Sequence, residues 1–303
     1  MNLTPITVDD YHRLQPYFQN QPYRLCCYSL VAIIVWQNDK YRPQAYADGD
    51  TVLIGADYEN DPDKRHLILP VSSRRGHAPE ELAQMAARSG YDQYWFVPEC
   101  YLDTWGKDAV RRVFRVAPQK GWDDYVYRTG DLADLKGNRY AKKRNLINQF
   151  TASYVDTGRA LVEPLTEANT EECAVFLERW CEIMSCGMDT ENDLACEKIA
   201  VLNTLKHLRI FDIRGVVIRI DGEVSAFGIG ARLTESMGVL HFEKAYPETK
   251  GLYQYLDSLC ARQLFGNFAF INKESDMSIP GLAKAKKSYH PADMVKSYKL
   301  TLK

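Results

Sequence analysis

The chain lacks any long apolar run. Its longest, Ser29–Trp36, is far too short to cross a bilayer and reads as a buried strand, so no transmembrane segment is expected. Charge of either sign is not in surplus: 38 Lys and Arg stand against 40 Asp and Glu, a net charge of -2, and no global field recruits nucleic acid or anionic lipid. Residues Met1–Asp10 hold two acids, no base and no apolar core, so no secretory leader is expected. The eight cysteines contain no CxxC pair and no repeated spacing, and most lie in apolar runs. Neither a zinc site nor a disulfide framework is expected, and the compartment reads as reducing and cytoplasmic. The glycines form no P-loop, there is no GxSxG elbow, and His12, His66, His77, His207 and His290 have no metal-ligand spacing.

What is present is an ordinary globular composition, 46% hydrophobic and 26% charged, in 303 residues. That length exceeds what one core usually supports, so two domains are expected. From Leu30 to Ile54 the pattern is strand-like, with Asp48-Gly49 between apolar residues as a hairpin turn, and His66–Val71 repeats the strand signal. Pro79 opens a helix with Glu80 and Glu81 in its first turn and Gly90 after its end, and Tyr94–Val97 is a short strand. Asp131–Tyr154 reads as one long helix with Leu132, Leu135, Tyr140, Ile147, Phe150 and Tyr154 as its apolar stripe. The domain junction is placed there, giving an N-terminal unit over 1–130, a connecting helix with a basic cluster over 131–160, and a C-terminal unit over 161–303.

In the second half Asn169 is the expected cap of a helix, with Glu172 as capping-box partner and Cys173, Phe176, Trp180 and Met184 as its buried face. A second helix covers Asp193–Leu205. Strands over Gly215–Ile220 and Val224–Gly230 are joined at Asp221-Gly222, a strong hairpin signal, and Val239–Ala245 is a third strand. A helix over Leu252–Phe265, a strand over Phe268–Asn272, a helix over Leu282–Tyr289 and a final strand over Met294–Leu302 complete the order.

That order resembles the GNAT acyltransferase fold. Three runs, KGNRYAKKRNLINQF from Lys136, HFEKAYPETKGLYQYL from His241 and INKESDMSIPGLAKAKKSYHPADMVKSYKL from Ile271, resemble the family related to the C-terminal domain of phosphatidylglycerol lysyltransferase. The resemblance covers Asp131–Lys303, and the first half matches only in coarse pattern. It implies an α/β fold with mixed sheets, two GNAT-like domains in tandem, and transfer of an acyl or aminoacyl group to an amine or hydroxyl. The donor implied is acyl-CoA or aminoacyl-tRNA, with no metal. The acceptor, a small molecule or a lipid or other amine, is unspecified, and the near-zero net charge gives tRNA no support. GNAT enzymes that bind coenzyme A usually carry a turn of the type [QR]xxGx[GA] before the helix. Here the run is ETKGLYQ, so Lys250 and the single Gly251 are the expected anion contacts, and coenzyme A itself is not specified.

Within these runs, alternation along the strand puts His241 and Glu243 on one face and Phe242 and Lys244 on the other. An imidazole beside a carboxylate suits proton removal from an attacking amine; the alternative is a buried histidine satisfied by an acid. Asn272 and Glu274 stand at a strand end, where open sheets display ligand contacts or cap the next helix. Tyr289 is the candidate acid toward a leaving group, and Lys286 lies in the same run. Lys142, Arg144 and Asn145 are candidate phosphate contacts or an exposed helix face. Lys244 completes the candidate binding residues. Two classes stay open: a transferase with His241, Glu243 and Tyr289 as its catalytic groups, or a GNAT-like module that binds a phosphorylated ligand without chemistry.

Overall fold

The computed structural model describes residues 1–59, 61–184 and 193–303, the side chains of 193–196 excepted. In chain order its strands are β1 (Thr4–Pro5), β2 (Tyr41–Asp48), β3 (Thr51–Tyr58), β4 (His66–Leu67), β5 (Val71–Ser72), β6 (Gln93–Pro98), β7 (Phe114–Pro118), β8 (Asp124–Arg128), β9 (Ala160–Pro164), β10 (Ile213–Ile220), β11 (Glu223–Arg232), β12 (Met237–Ala245), β13 (Phe270–Asn272), β14 (Asp293–Val295) and β15 (Ser297–Leu302). The helices are α1 (Tyr11–Phe18), α2 (Leu30–Val35), α3 (Pro79–Ser89), α4 (Glu99–Trp105), α5 (Lys107–Val113), α6 (Thr129–Asp134), α7 (Ala141–Phe150), α8 (Thr170–Ile183), α9 (Asp193–Lys206), α10 (Leu252–Gln263) and α11 (Pro280–Lys287).

Local chemistry accounts for many of these limits. The β10–β11 turn places Asp221 at φ 52 and Gly222 at φ 89, as a two-residue hairpin on twisted strands requires. Gly90, at φ 75, ends α3. The class is the expected mixed α/β, with two mixed sheets. The first runs β1-β2-β3-β4-β6-β15-β7 with β5 beside β3, and the second β14-β8-β13-β12-β11-β10-β9. The pairs β4–β6 and β12–β13 are parallel. One core cluster lies between the sheets and takes in α2, α8 and the inner face of β12 through Phe242. Another fills the outer face of the second sheet beneath α6, α7 and α10.

Several expectations need correction. Ser29–Trp36 contains a helix, α2, not a strand: every residue from Leu30 to Val35 is buried, so the run carries no periodicity by which the two differ. The long helix over Asp131–Tyr154 is two. Leu135 at φ 49 and Gly137 at φ 92 turn the chain between α6 and α7, while Leu132, Leu135, Tyr140 and Phe150 still share one core against α10. His66–Val71 is broken into β4 and β5. Asn169 does not pair with Glu172 in a capping box; its side chain accepts from the Thr166 N–H, Glu172 pairs with Arg219, and Met184 is exposed beyond the end of α8. Cys186 and the Cys196 side chain lie outside the described residues.

The final strand is also two, and they part company. β14 pairs with β8 in the second sheet, whereas β15 lies between β6 and β7 in the first. β8, from the first half of the chain, lies between β13 and β14. A cut at residue 130 or 161 would therefore leave each sheet missing a strand.

Candidate active site

The parallel strands β12 and β13 pair only from Met237 and Phe270 to Val239 and Asn272, and then diverge. Beyond that point β12 continues to Ala245, while Glu274 adopts φ 59 and turns the chain away. Two polar clusters fill the fork.

In the first, the Lys273 ammonium lies 2.5 Å from Asp257 of α10 and 2.8 Å from Glu243 of β12. One cation thus stands between a buried carboxyl, Asp257, and a half-buried one, Glu243. Burial, then the Asp257 charge, pushes the Glu243 carboxyl up to about 7, against the pull of Lys273. Burial opposes the Lys273 charge, but Asp257 and Glu243 outweigh it and hold the ammonium protonated. Tyr289 closes the cluster. Burial, Asp257 and Glu243 all raise its pKa, so the phenol keeps its proton, and the Lys143 ammonium lies 3.9 Å from its ring centre.

In the second, His241 Nδ1 lies 2.9 Å from Glu274 Oε1 and Nε2 lies 3.0 Å from Ser29 Oγ. Asn272 donates to Asp124 (2.7 Å) and to the Arg24 carbonyl (2.8 Å), and accepts from the Glu274 N–H (2.6 Å). Asp124 accepts from the Cys26 N–H at 2.6 Å, and burial raises its carboxyl to about 6. Lys286 joins the clusters: its ammonium donates to the Lys273 carbonyl at 2.6 Å and to that of Ser275. Burial lowers its pKa, with Glu274 opposing. Beside it, a hollow of about 340 Å³ is lined by Tyr125, Asp276, Asp123, Lys287 and Lys296.

His241 and Glu243 do not share a face as alternation requires. Phe242 faces Ile229 and Leu240 faces Gly230, so His241 is the extra residue of a β-bulge, which turns it toward α2 while Glu243 faces α10. Lys244 does take the opposite face, pairing with Glu197 at 2.7 Å over the Trp180 ring. Arg144 is engaged with the carbonyls of Leu135 and Gly137, at the end of α6. Lys142, Asn145 and Lys250 point to solvent. Gly251, at φ 86, caps α10, and the Leu146 carbonyl lies where its Cβ would be, so α7 uses the close approach that a bare glycine permits.

Sequence reasoning missed Lys273, Asp257, Asp124 and Ser29, and read Lys143 only as part of the basic cluster beside Lys142 and Arg144. Asp257 did leave a signal: with Ser258 it interrupts the apolar buried face Leu252, Leu256, Leu259, Cys260. Ser29 left none toward this cluster, because its partner there, His241, is 212 residues away. Among the described residues no group of three or more His, Cys, Asp or Glu can hold a metal ion, and no helix is long and apolar enough to cross a membrane.

A family model described as phosphatidylglycerol lysyltransferase, C-terminal, matches residues 35–301. An uncharacterized protein, MYCGA3080, of Mycoplasmoides gallisepticum (strain R(low / passage 15 / clone 2)) is 23% identical over 179 residues, 58% of this chain. The match covers 54% of that relative, about half its length. Among solved structures, a conserved protein of unknown function from Bacteroides thetaiotaomicron VPI-5482 superposes with TM-score 0.87 at 24% identity, covering 99% of both chains. The C-terminal domain of a protein named as a lysylphosphatidylglycerol synthetase, from Agrobacterium fabrum, gives TM-score 0.59 at 13% identity, covering 86% of this chain and 84% of that one. Both are likenesses of fold.

Proposed function

We propose that this chain, which belongs to the phosphatidylglycerol lysyltransferase C-terminal family, is an acyl- or aminoacyl-transferase in which Glu243 takes the proton of an attacking amine or hydroxyl. The observation that carries the reading is the convergence of a carboxylate poised near neutrality and a protonated phenol, Tyr289, in the fork of two diverging strands. A base is most effective when its pKa lies near working pH, and a phenol that holds its proton can donate it to a departing thiolate or alkoxide. Lys273 keeps Asp257 and Glu243 together in the site, and Lys286 and Lys143 supply positive charge beside it. Holding both reactants in line supplies much of the rate, and the transfer is direct from donor to acceptor.

The donor proposed is an acyl thioester or an aminoacyl ester, acyl-CoA or aminoacyl-tRNA, with Lys142, Asn145 and Lys250 at the surface as its phosphate contacts. The two sheets are proposed to be GNAT-like units of a tandem. Replacing Glu243 by Gln tests the mechanism: transfer to the acceptor is lost while the melting transition persists, and an unchanged rate removes Glu243 from the chemistry.

A second reading, a module that binds a phosphorylated ligand without transfer, is favoured by Gly251, whose bare backbone is already covered by α7. A thermal-shift series separates the two, since a ligand that binds only the folded state raises Tm. Stabilisation by coenzyme A thioesters supports the transferase. Stabilisation by inorganic phosphate or glycerol phosphate, with no response to any thioester, supports the module. Filter binding of tRNA across a salt series decides the aminoacyl donor.

A further inference from the structure

At the turn of the β2–β3 hairpin, Asp48, Asp50 and Leu53 line a hollow of about 190 Å³ together with Arg75, His77 and Met85. His77 is 2% exposed, and neither nitrogen of its ring has a hydrogen-bond partner within the chain. A buried polar group without a partner carries the full cost of its lost hydration, and native proteins keep few of them. The backbone around His77 is nevertheless firmly held: the Tyr101 hydroxyl donates to its carbonyl at 3.0 Å, and the next N–H, that of Ala78, donates to Glu81 at 2.9 Å. The ring is thus fixed at a cavity with both of its polar atoms unengaged.

The charges of the hollow do not balance. Arg75 is paired with Glu81 at 2.8 Å. Asp50 receives only the Thr51 hydroxyl, at 3.1 Å, and among the described residues neither Asp48 nor Asp50 has a cation as partner. Burial, then the Arg75 charge, lowers the His77 pKa, so the ring is neutral near pH 7, with one N–H to donate and one lone pair to accept. The two acids and the imidazole do not form a metal-ligand group. What complements them is an organic cation, with an ammonium for the carboxylates and the ring lone pair and an oxygen to accept the ring N–H. At ~30 Å³ for each water-sized group, the hollow holds about six non-hydrogen atoms.

We propose that this hollow is a binding site for a small amino alcohol, separate from the fork and independent of the transfer reaction. The ammonium lies at Asp48 and Asp50, the hydroxyl oxygen accepts from His77, and the short carbon chain runs along Leu53 and Met85. Bound there, the ligand joins the β2–β3 hairpin to α3, which begins two residues after His77. An amino acid of the same length brings a third carboxylate to two that lack a countercharge. An amine without the hydroxyl leaves the ring N–H as unsatisfied as before.

The test titrates the whole chain with 4-amino-1-butanol, butylamine, butanediol and 4-aminobutyrate by calorimetry, and follows the His77 ring nitrogens by NMR. The expected result is saturable binding of one aminobutanol per chain, with a shift of the His77 ring signals. Butylamine binds about 2- to 10-fold more weakly for want of the oxygen, and neither butanediol nor aminobutyrate binds. The double variant Asp48→Asn, Asp50→Asn, at a hairpin turn where the fold does not depend on either charge, weakens aminobutanol binding by about 10-fold or more. His77→Phe makes aminobutanol and butylamine equal. A natively melting wild-type chain without saturable binding, ring signals that do not move, butanediol or aminobutyrate binding as well as aminobutanol, or full affinity in the double variant overturns the proposal. Each of these is read without the transfer reaction, so its failure and that of Glu243 as base are separate outcomes.

Discussion

The two clusters in the fork satisfy buried carboxylates in opposite ways. Glu243 and Asp257 share the Lys273 ammonium, a full countercharge, whereas Asp124 receives only neutral donors, the Cys26 N–H and the Asn272 amide. Yet burial is the largest influence on both Glu243 and Asp124, and both carboxyls are raised. A nearby ammonium therefore does not guarantee a low carboxyl pKa. Lys273 sits closer to Asp257 than to Glu243, and the Asp257 charge adds to the penalty that Glu243 already carries from burial. The charged cluster is suited to moving a proton near neutral pH; the neutral one binds the first half of the chain to the second through Arg24, Cys26 and Ser29.

The sharpest way to break this comparison is kinetic. With Glu243 as base, kcat/KM rises with pH to a plateau above about 7, and Glu243→Gln lowers it by about two to four orders of magnitude and removes that limb. A Gln variant that keeps the acid limb assigns the titration elsewhere. Next in size is Lys273→Met, which leaves two buried carboxylates facing each other and costs about 3–5 kcal/mol at pH 8 by urea unfolding. Carboxyls raised in the folded state bind protons more tightly there than in the unfolded chain, so the variant recovers stability as pH falls toward 5. A loss independent of pH would show that repulsion is not its cause.

On the neutral side, the Asp124 carboxyl is raised from 3.8 to about 6, so the folded protein holds that proton more tightly and stability falls as pH climbs across this window. Both strong donors converge on one oxygen, Oδ2, which an asparagine oxygen can replace. Asp124→Asn therefore keeps the fold and removes that part of the slope, read from melts at pH 4 and pH 6.5. The smallest expected change is Lys142→Ala. An exposed residue with this substitution shifts stability by less than about 0.5 kcal/mol, while KM for a phosphate-bearing donor rises; an unaltered KM removes Lys142 from the donor site.

Short-range signals were legible. The Asp221-Gly222 hairpin, the limits of α3 and the strands and helices from β10 to α11 follow from turn chemistry, caps and periodicity within a dozen residues. Glu243 and Tyr289 do meet around one cluster, though the two candidates were drawn from separate runs of family-like sequence. The failures were of two kinds. Where every side chain is buried, as in α2, no period exists to read. Where one residue is inserted against its neighbour strand, as at His241, alternation points the side chain the wrong way, and a bulge depends on the partner strand.

By itself, then, the sequence determined the mixed α/β class and most of the element order of the second half, because those follow from contacts close along the chain. Only the tertiary structure decided that β15 completes the first sheet and β8 the second, that Lys273 lies between two carboxylates, and that Ser29 meets His241. Each of these joins residues far apart along the chain or sets a side chain's direction by register, and neither leaves a local pattern to read.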